Sequence, residues 1–337
     1  MTTAIPQQRQ PNNGTGGTRD SRAGIRNRTR RPSGMAFGIL AVAGLVVAFS
    51  LSSTLVKRAE TSGVLVAFWR MTVVSIVWNL YLWSTGRRVT LRHVRQALIP
   101  GLFFGLNLAT FFAGATHNSV ANAALIGSLS PFLIVPLGAL LFSERHRRRA
   151  LVFALVAFGG AVLVLTNAPA HGDASTRGNV FGLVATLLWT GYVVTTRYFR
   201  RDMDVATYMA TVSPIAAVAV LPLAIGTQDS LSMSSTGWTF TLLLTFLTGV
   251  AAHGLLVFAQ KTIQIGTIGI SQVIQPALAV TWSFLLLDEH LRSGQVLGIA
   301  VAMSGLLAFL MFNRPGARDE PATIVPVASP ARAPAPG

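Results

Sequence analysis

Ser130-Pro131-Phe132-Leu133-Ile134-Val135-Pro136-Leu137-Gly138-Ala139-Leu140-Leu141-Phe142-Ser143-Glu144 is an apolar run closed by an acidic residue. It recurs 145 residues later as Gln275-Pro276-Ala277-Leu278-Ala279-Val280-Thr281-Trp282-Ser283-Phe284-Leu285-Leu286-Leu287-Asp288-Glu289. At that offset Pro131 falls on Pro276, Glu144 on Glu289, Arg147 on Arg292, Ala157 on Ala302 and Gly160 on Gly305. A second echo, Gly34-Met35-Ala36-Phe37-Gly38 against Gly178-Asn179-Val180-Phe181-Gly182, comes at an offset of 144. The chain is a tandem duplication, and each copy is mostly apolar.

Half of the 337 residues are hydrophobic and only 11% are charged, against about a quarter in soluble domains. Ten apolar stretches follow one another at about 35–55, 64–84, 97–115, 120–142, 150–167, 178–198, 205–225, 237–259, 267–287 and 294–312. Each is close to the ~20 residues that cross a bilayer as a helix. They are numbered spans 1 to 10 here. The expected fold class is therefore an all-α integral membrane protein with ten transmembrane helices.

The net charge of +16 would suit nucleic acid if it were clustered on a folded surface. Instead it sits in the tails and on alternate connectors, so nucleic acid is not an expected partner. With the N-terminus inside, 22 basic residues lie on the inner side and four on the outer, with Arg70 left within a span. By the positive-inside rule both termini are expected to be cytoplasmic and the protein to lie in the cell inner (plasma) membrane. Five spans per copy is an odd number, so the second copy must enter from the opposite face. Two inverted five-helix repeats are the architecture of many secondary transporters, whose substrate site lies between the halves near the midplane.

The expected organisation is a basic tail over 1–33, a first repeat over 34–167 and a polar linker over 168–176. A second repeat over 177–313 and a Pro/Ala-rich tail over 314–337 complete it. Both tails have the composition of disordered segments. The chain has no cysteine, which removes disulfides and thiolate metal sites from consideration.

Asn122-Ala123-Ala124-Leu125 through Ser130-Pro131 to Glu144, the Gln275-Pro276 to Glu289 block, and Phe68-Trp69-Arg70-Met71 early in span 2 carry a family resemblance. Over about residues 35–312 the chain resembles the EamA-type transporters of the drug/metabolite transporter superfamily. The resemblance implies a ten-helix basket with its cavity formed by spans 1–4 and 6–9 and with spans 5 and 10 peripheral. It also implies export or uptake of small metabolites such as amino acids and their derivatives. The family often has Gly before the glutamate that ends span 4, where Ser143 and Asp288 stand here.

No carboxylate lies within a span, so the buried acid that commonly couples protons to transport is missing. Glu144 and Glu289 remain at span ends, where they would stabilise the starts of spans 5 and 10 and pair with Arg147 or Arg148 and with Arg292. Arg70, inside span 2, would hold a substrate carboxylate, or else snorkel outward or pair with Glu60. His253 in span 8 would titrate near neutral pH or bond a neighbouring helix.

Polar stripes at helical spacing mark three more cavity faces: Gln272, Gln275, Ala279 and Trp282 in span 9, Trp189, Tyr192 and Thr196 in span 6, and Asn107, Thr110 and Gly114 in span 3. Asn122 joins them as a candidate. Interhelical bonding competes with substrate binding at each. Pro131 and Pro276 would kink their helices at a gate or cavity wall, and the Gly-x-x-x-Gly pairs would let helices approach closely.

The leading functional expectation is a secondary transporter, in the export direction, for a small metabolite of little net negative charge. The alternatives are a nucleotide-sugar or phosphate-ester carrier, and a non-transporting membrane sensor or scaffold. A membrane enzyme is disfavoured by the lack of any hydrolase, metalloprotease or phosphate-loop motif. No cofactor and no metal are expected. The partners are a small-molecule substrate and the lipid bilayer, with a proton or ion gradient as a candidate energy source.

Overall fold

The computed structural model describes residues 32–117, 126–167, 175–200, 203–227, 230–287 and 292–313. Asn122, Asp288, Glu289, the tails before 32 and after 313, and most of the 168–176 linker lie outside the described residues. All regular structure among the described residues is helical.

Among the described residues eight helices are long and apolar enough to cross a membrane: Met35–Arg58, Gly63–Ser84, Leu91–Thr116, Arg148–Thr166, Thr176–Phe199, Val205–Gly226, Ser235–Ala259 and Ser293–Phe312. These are spans 1, 2, 3, 5, 6, 7, 8 and 10. Spans 4 and 9 differ from the uninterrupted helices expected. Span 4 has a 13-residue helix, Ser130–Phe142. Span 9 is split into Ile265–Ser271, a 3-10 turn at Gln272–Ile274, and Gln275–Leu287.

The prolines explain both interruptions. Pro276 has no N–H to give to the carbonyl one turn earlier, and the chain tightens into a 3-10 turn just before it. Pro131 and Pro276 each occupy the first turn of the helix that follows, where a missing N–H costs nothing. Each opens the helical segment that follows the interruption in its span.

The two halves pack as inverted copies. Span 2 packs on span 7, span 3 on spans 6 and 7, span 1 on span 8, span 4 on span 9 and span 5 on span 10. Exchanging spans 1–5 for spans 6–10 turns this set of pairs largely into itself, the signature of a two-fold axis. The helices that pair across the axis run antiparallel. Gly160 meets the backbone of Ala302, Gly298 that of Val164, and Gly305 that of Ala157, so residue numbers rise along span 5 as they fall along span 10. An axis that reverses helix direction lies in the membrane plane.

Small residues make these approaches possible, as the Gly-x-x-x-Gly spacing predicts. Gly101 and Gly105 lie against Ile215 and Ala216 of span 7, and Gly114 against Gly178 and Gly182 of span 6. The interior holds Leu45, Met71, Phe104, Tyr192, Tyr208 and Leu244. The outer surface is also apolar, with Trp83 at 74% and Leu140 at 79% exposure. A belt of exposed Leu, Val and Phe this extensive needs hydrocarbon as its solvent.

Candidate functional site

One end of the bundle carries the arginine-bearing connectors 85–90 and 143–147, Arg200 and Asp204, together with the turn 260–264. It is called the basic end here, and the opposite end the far end. A cavity of about 150 Å³ occupies the far-end half between the repeats. Such a space takes a small molecule and not a macromolecule. Spans 1, 2, 3, 4, 6, 8 and 9 contribute its walls.

Several sequence candidates line it: Arg70, Asn107, Trp189, His253, Gln272, Gln275, Pro131 and Pro276. The helix break in span 9 turns Gln272 and Gln275 towards the same space, where the Gln275 Nε2 donates to Gln272 Oε1 at 3.2 Å. Asn107 donates to the Ala185 carbonyl across the span 3–span 6 contact at 2.8 Å, so it joins the two helices as well as facing the cavity.

Arg70 is 1% exposed. It neither snorkels nor pairs with Glu60, because its side chain runs inward over the Phe112 ring, 5.5 Å from the centroid. Its Nη2 lies 3.4 Å from His253 Nδ1. His253 forms the deep end of the cavity, ringed by Phe49, Phe104, Trp189 and Tyr192 at centroid distances from 4.5 to 6.1 Å.

Span 8 reaches His253 through a π-helical stretch, Thr245–Ala252. The wider turn alters the register that puts Gly249, His253 and Gln260 on one face of an ideal α-helix. π-Turns of this kind mark functional sites often enough to notice, and hydrophobic periodicity gives no warning of one.

Two candidates lie elsewhere. Tyr192 is fully buried behind the wall, stacked on Phe104 at 4.5 Å with rings 14° apart, and does not line the cavity. Trp282 points its indole N–H to the Ser50 hydroxyl at 2.7 Å, tying span 9 to span 1. Helical spacing put each in a cavity stripe, but a stripe covers a wide arc, and the neighbouring helix decides which part stays open. Thr196 and Thr110 leave their stripes for similar reasons, Thr196 sharing a hydrogen bond with the Tyr208 hydroxyl at 2.7 Å and Thr110 bonding the carbonyl of Leu106.

The walls also use residues that no polar pattern singled out: Phe49, Ser50 and Ser52 of span 1, and Phe111 and Phe112 of span 3. Lone serines and phenylalanines in an apolar run look like ordinary filler.

The basic end is closed by Glu144. Ser143 adopts φ 53°, in the left-handed region, and the Glu144 N–H then bonds back to the Gly138 carbonyl at 3.1 Å, closing the helix. This aims the carboxylate at the start of span 9, where it accepts the N–H groups of Ile265 at 2.8 Å and Gly266 at 3.0 Å. Arg197 stands 3.9 Å away and also donates to the Gln260 and Ile263 carbonyls.

Burial pushes the Glu144 carboxyl up, while the Gly266 and Ile265 amides and Arg197 pull it back down. The expected partners Arg147 and Arg148, and the expected role at span 5, give way to this contact across the repeats. A negative charge at a helix N-terminus is favourable wherever that helix lies in sequence.

A family model described as the EamA-like transporter family matches residues 36–166 and 176–311. The chain belongs to that family. The two matched segments bracket the two inverted halves, so the EamA-like repeat and the structural repeat coincide.

Among curated proteins, this EamA-like chain is 23% identical over 189 residues to the pseudopaline exporter CntI of Pseudomonas aeruginosa, covering 55% of this chain and 66% of that protein. It is 24% identical over 218 residues to an uncharacterized transporter of Vibrio cholerae, covering 63% of this chain and 68% of that protein. It is 22% identical over 201 residues to a riboflavin transporter of Brucella anthropi, covering 58% and 70%. The match thus spans about two thirds of the length of these relatives. A solved crystal structure covering 84% of this chain and 99% of its own superposes with a TM-score of 0.67 at 20% identity, which shows the shared fold.

Proposed function

We propose that this EamA-like protein is a secondary transporter that carries a small metabolite, such as an amino acid or derivative, across the cell inner membrane by alternating access between its repeats. The observation that carries the reading is the pairing of a polar cavity inside the bundle with a closed seam at one end only. The cavity reaches the far-end half, while Glu144 joins span 4 to span 9 at the basic end. With the arginine-rich end and both termini in the cytoplasm, this is the conformation open to the outside. The exporter among the relatives supports outward movement.

A nucleotide-sugar or phosphate-ester cargo would call for several cavity cations, and Arg70 is the one among the described lining residues. A membrane sensor or scaffold would have no use for the cavity.

Metabolite profiling of medium and cytosol with and without the gene, followed by flux in proteoliposomes, tests the proposal. A specific solute should accumulate outside, and Gln275→Ala should abolish the change. Unaltered solutes across the screen would sink it. The chain has no native cysteine, so single introduced cysteines can report topology cleanly, and termini on opposite faces would remove the inverted arrangement proposed for the membrane.

A further inference from the structure

Arg70 is a buried cation without a counter-ion. It lines the cavity at 1% exposure, its Nε has no hydrogen-bond partner, and the one polar atom near its Nη2 is His253 Nδ1 at 3.4 Å. That neighbour cannot accept. His253 Nδ1 lies 2.6 Å from the Thr248 carbonyl oxygen, and a carbonyl only accepts, so Nδ1 carries the hydrogen and donates it there. The other ring nitrogen, Nε2, has no hydrogen-bond partner. Among the described residues the guanidinium therefore finds no acceptor for its donors.

A carboxylate is not at hand. Among the described residues the acidic ones, Glu60, Glu144 and Asp204, all lie outside the helices. Glu60 is exposed on the connector after span 1, while Glu144 serves the start of span 9 and Asp204 pairs with Arg87 at 2.8 Å, both at the basic end. The Phe112 face screens one side of the guanidinium without accepting a hydrogen bond. A planar fork of donors held in a low-dielectric cavity calls for an anion.

We infer that Arg70 is the anion subsite of this cavity, and that the solute it holds bears one carboxylate group and no ammonium group needing an acidic partner. The inference rests on the transporter reading above and narrows its cargo to organic monoanions, which keeps amino-acid derivatives without a free amine and sets zwitterionic amino acids aside. One cation balances one negative charge, which disfavours dianions. The described residues that line the cavity include no carboxylate for an amine. Phe49, Phe111 and Trp189 line the same space and suit an apolar or aromatic body on the acid. Gln272 Nε2, also without a partner, is a further donor for an oxygen.

The experiment measures thermal stabilisation of the purified full chain in nanodiscs by a panel of aromatic and aliphatic monocarboxylates, each matched with its primary amide and with the corresponding amine. At least one carboxylate should bind about tenfold or more tightly than its amide, the loss expected when a charged hydrogen-bonded group goes unmatched. Its amine should be weaker still. Arg70→Gln should erase the preference for acid over amide, and Arg70→Lys should restore only part of it because an ammonium lacks the fork.

Amides or amines binding as well as acids, no stabilising carboxylate in the panel, or an unchanged acid preference in Arg70→Gln would each overturn the inference. Should Arg70→Gln fail to fold, the acid, amide and amine comparison on the unaltered chain still decides. Flux of neutral solutes without acid preference would overturn the anion subsite and leave the transporter standing. Carboxylate binding without flux of any solute would do the reverse.

Discussion

The carboxylate of Glu144 caps the helix that begins at Ile265, 121 residues further along the chain, at 2.8 Å. One side chain from the first repeat thereby satisfies the first backbone donors of a helix in the second. The contact spans the seam that alternating access would have to open at the basic end.

Removing that carboxylate should loosen the seam. Glu144→Ala leaves the Ile265 and Gly266 N–H groups buried without acceptors, at a cost of about 1–3 kcal/mol each. Glu144→Gln keeps an acceptor oxygen and should lose less. Thermal unfolding in detergent measures the stability, and the labelling rate of a single cysteine placed at Gln264 measures the opening. Equal labelling in all three proteins would show that Glu144 does not hold this end shut.

Ser143 should gain from replacement by glycine. Its φ of 53° puts a β-carbon in the left-handed region, a strain of about 1–2 kcal/mol, which the greater freedom of unfolded glycine reduces by about 0.4–1 kcal/mol. Ser143→Gly is expected to raise the thermal midpoint without changing transport. A lowered midpoint would mean that the Ser143 side chain contributes more than its backbone strain costs.

The seam between spans 5 and 10 has no room for side chains at Gly160 or Gly298. Gly160→Val and Gly298→Val should each destabilise the fold by about 1–3 kcal/mol, as overpacking does. The cavity is lined by other spans, so solute affinity per folded molecule should stay constant. Ligand titration alongside thermal unfolding separates the two quantities.

Asp204 caps span 7 through the N–H groups of Ala206 and Thr207 and pairs with Arg87. Burial raises its carboxyl, but the Thr207 bonds and Arg87 outweigh that and hold it below the usual carboxylate value. A depressed folded-state value means the stabilisation is present above the unfolded pKa of about 3.9 and is lost as pH falls through the lower folded value. Asp204→Ala should cost about 0.5–2 kcal/mol at neutral pH, the usual range for an N-cap. The difference from the parent protein should shrink on acidification below pH ~4. A difference that does not vary with pH would assign the effect to packing.

Trp189 forms part of the aromatic wall beside His253. Trp189→Ala should weaken solute binding by up to about tenfold, from the 0.5–1.5 kcal/mol that aromatic contacts add together with lost contact area. Tyr192→Phe, behind the wall, should leave affinity nearly unchanged. If Tyr192→Phe is the more damaging change, the solute reaches deeper than the cavity described.

Duplication, membrane residence, the succession of apolar spans and the inverted sense of the halves were all legible in the order of residues, because each follows from local composition and an odd number of crossings. Arg70, Asn107, Trp189, His253, Gln272 and Gln275 were legible for a related reason: a polar group in an apolar span must face protein or water. Which way each one turned was not. Tyr192 and Trp282 share a face with cavity residues in the helical pattern, yet one is sealed by Phe104 and the other is drawn to Ser50. The partner of Glu144 was equally out of reach, since local helical spacing offered Arg147 and Arg148 while the acceptor of choice lay across the two-fold axis. Patterns along a chain report solvent preference, which is a one-residue property. Enclosure, the π-turn before His253 and the isolation of the Arg70 charge depend on how helices distant in sequence are pressed together, and they exist only once the two halves have packed.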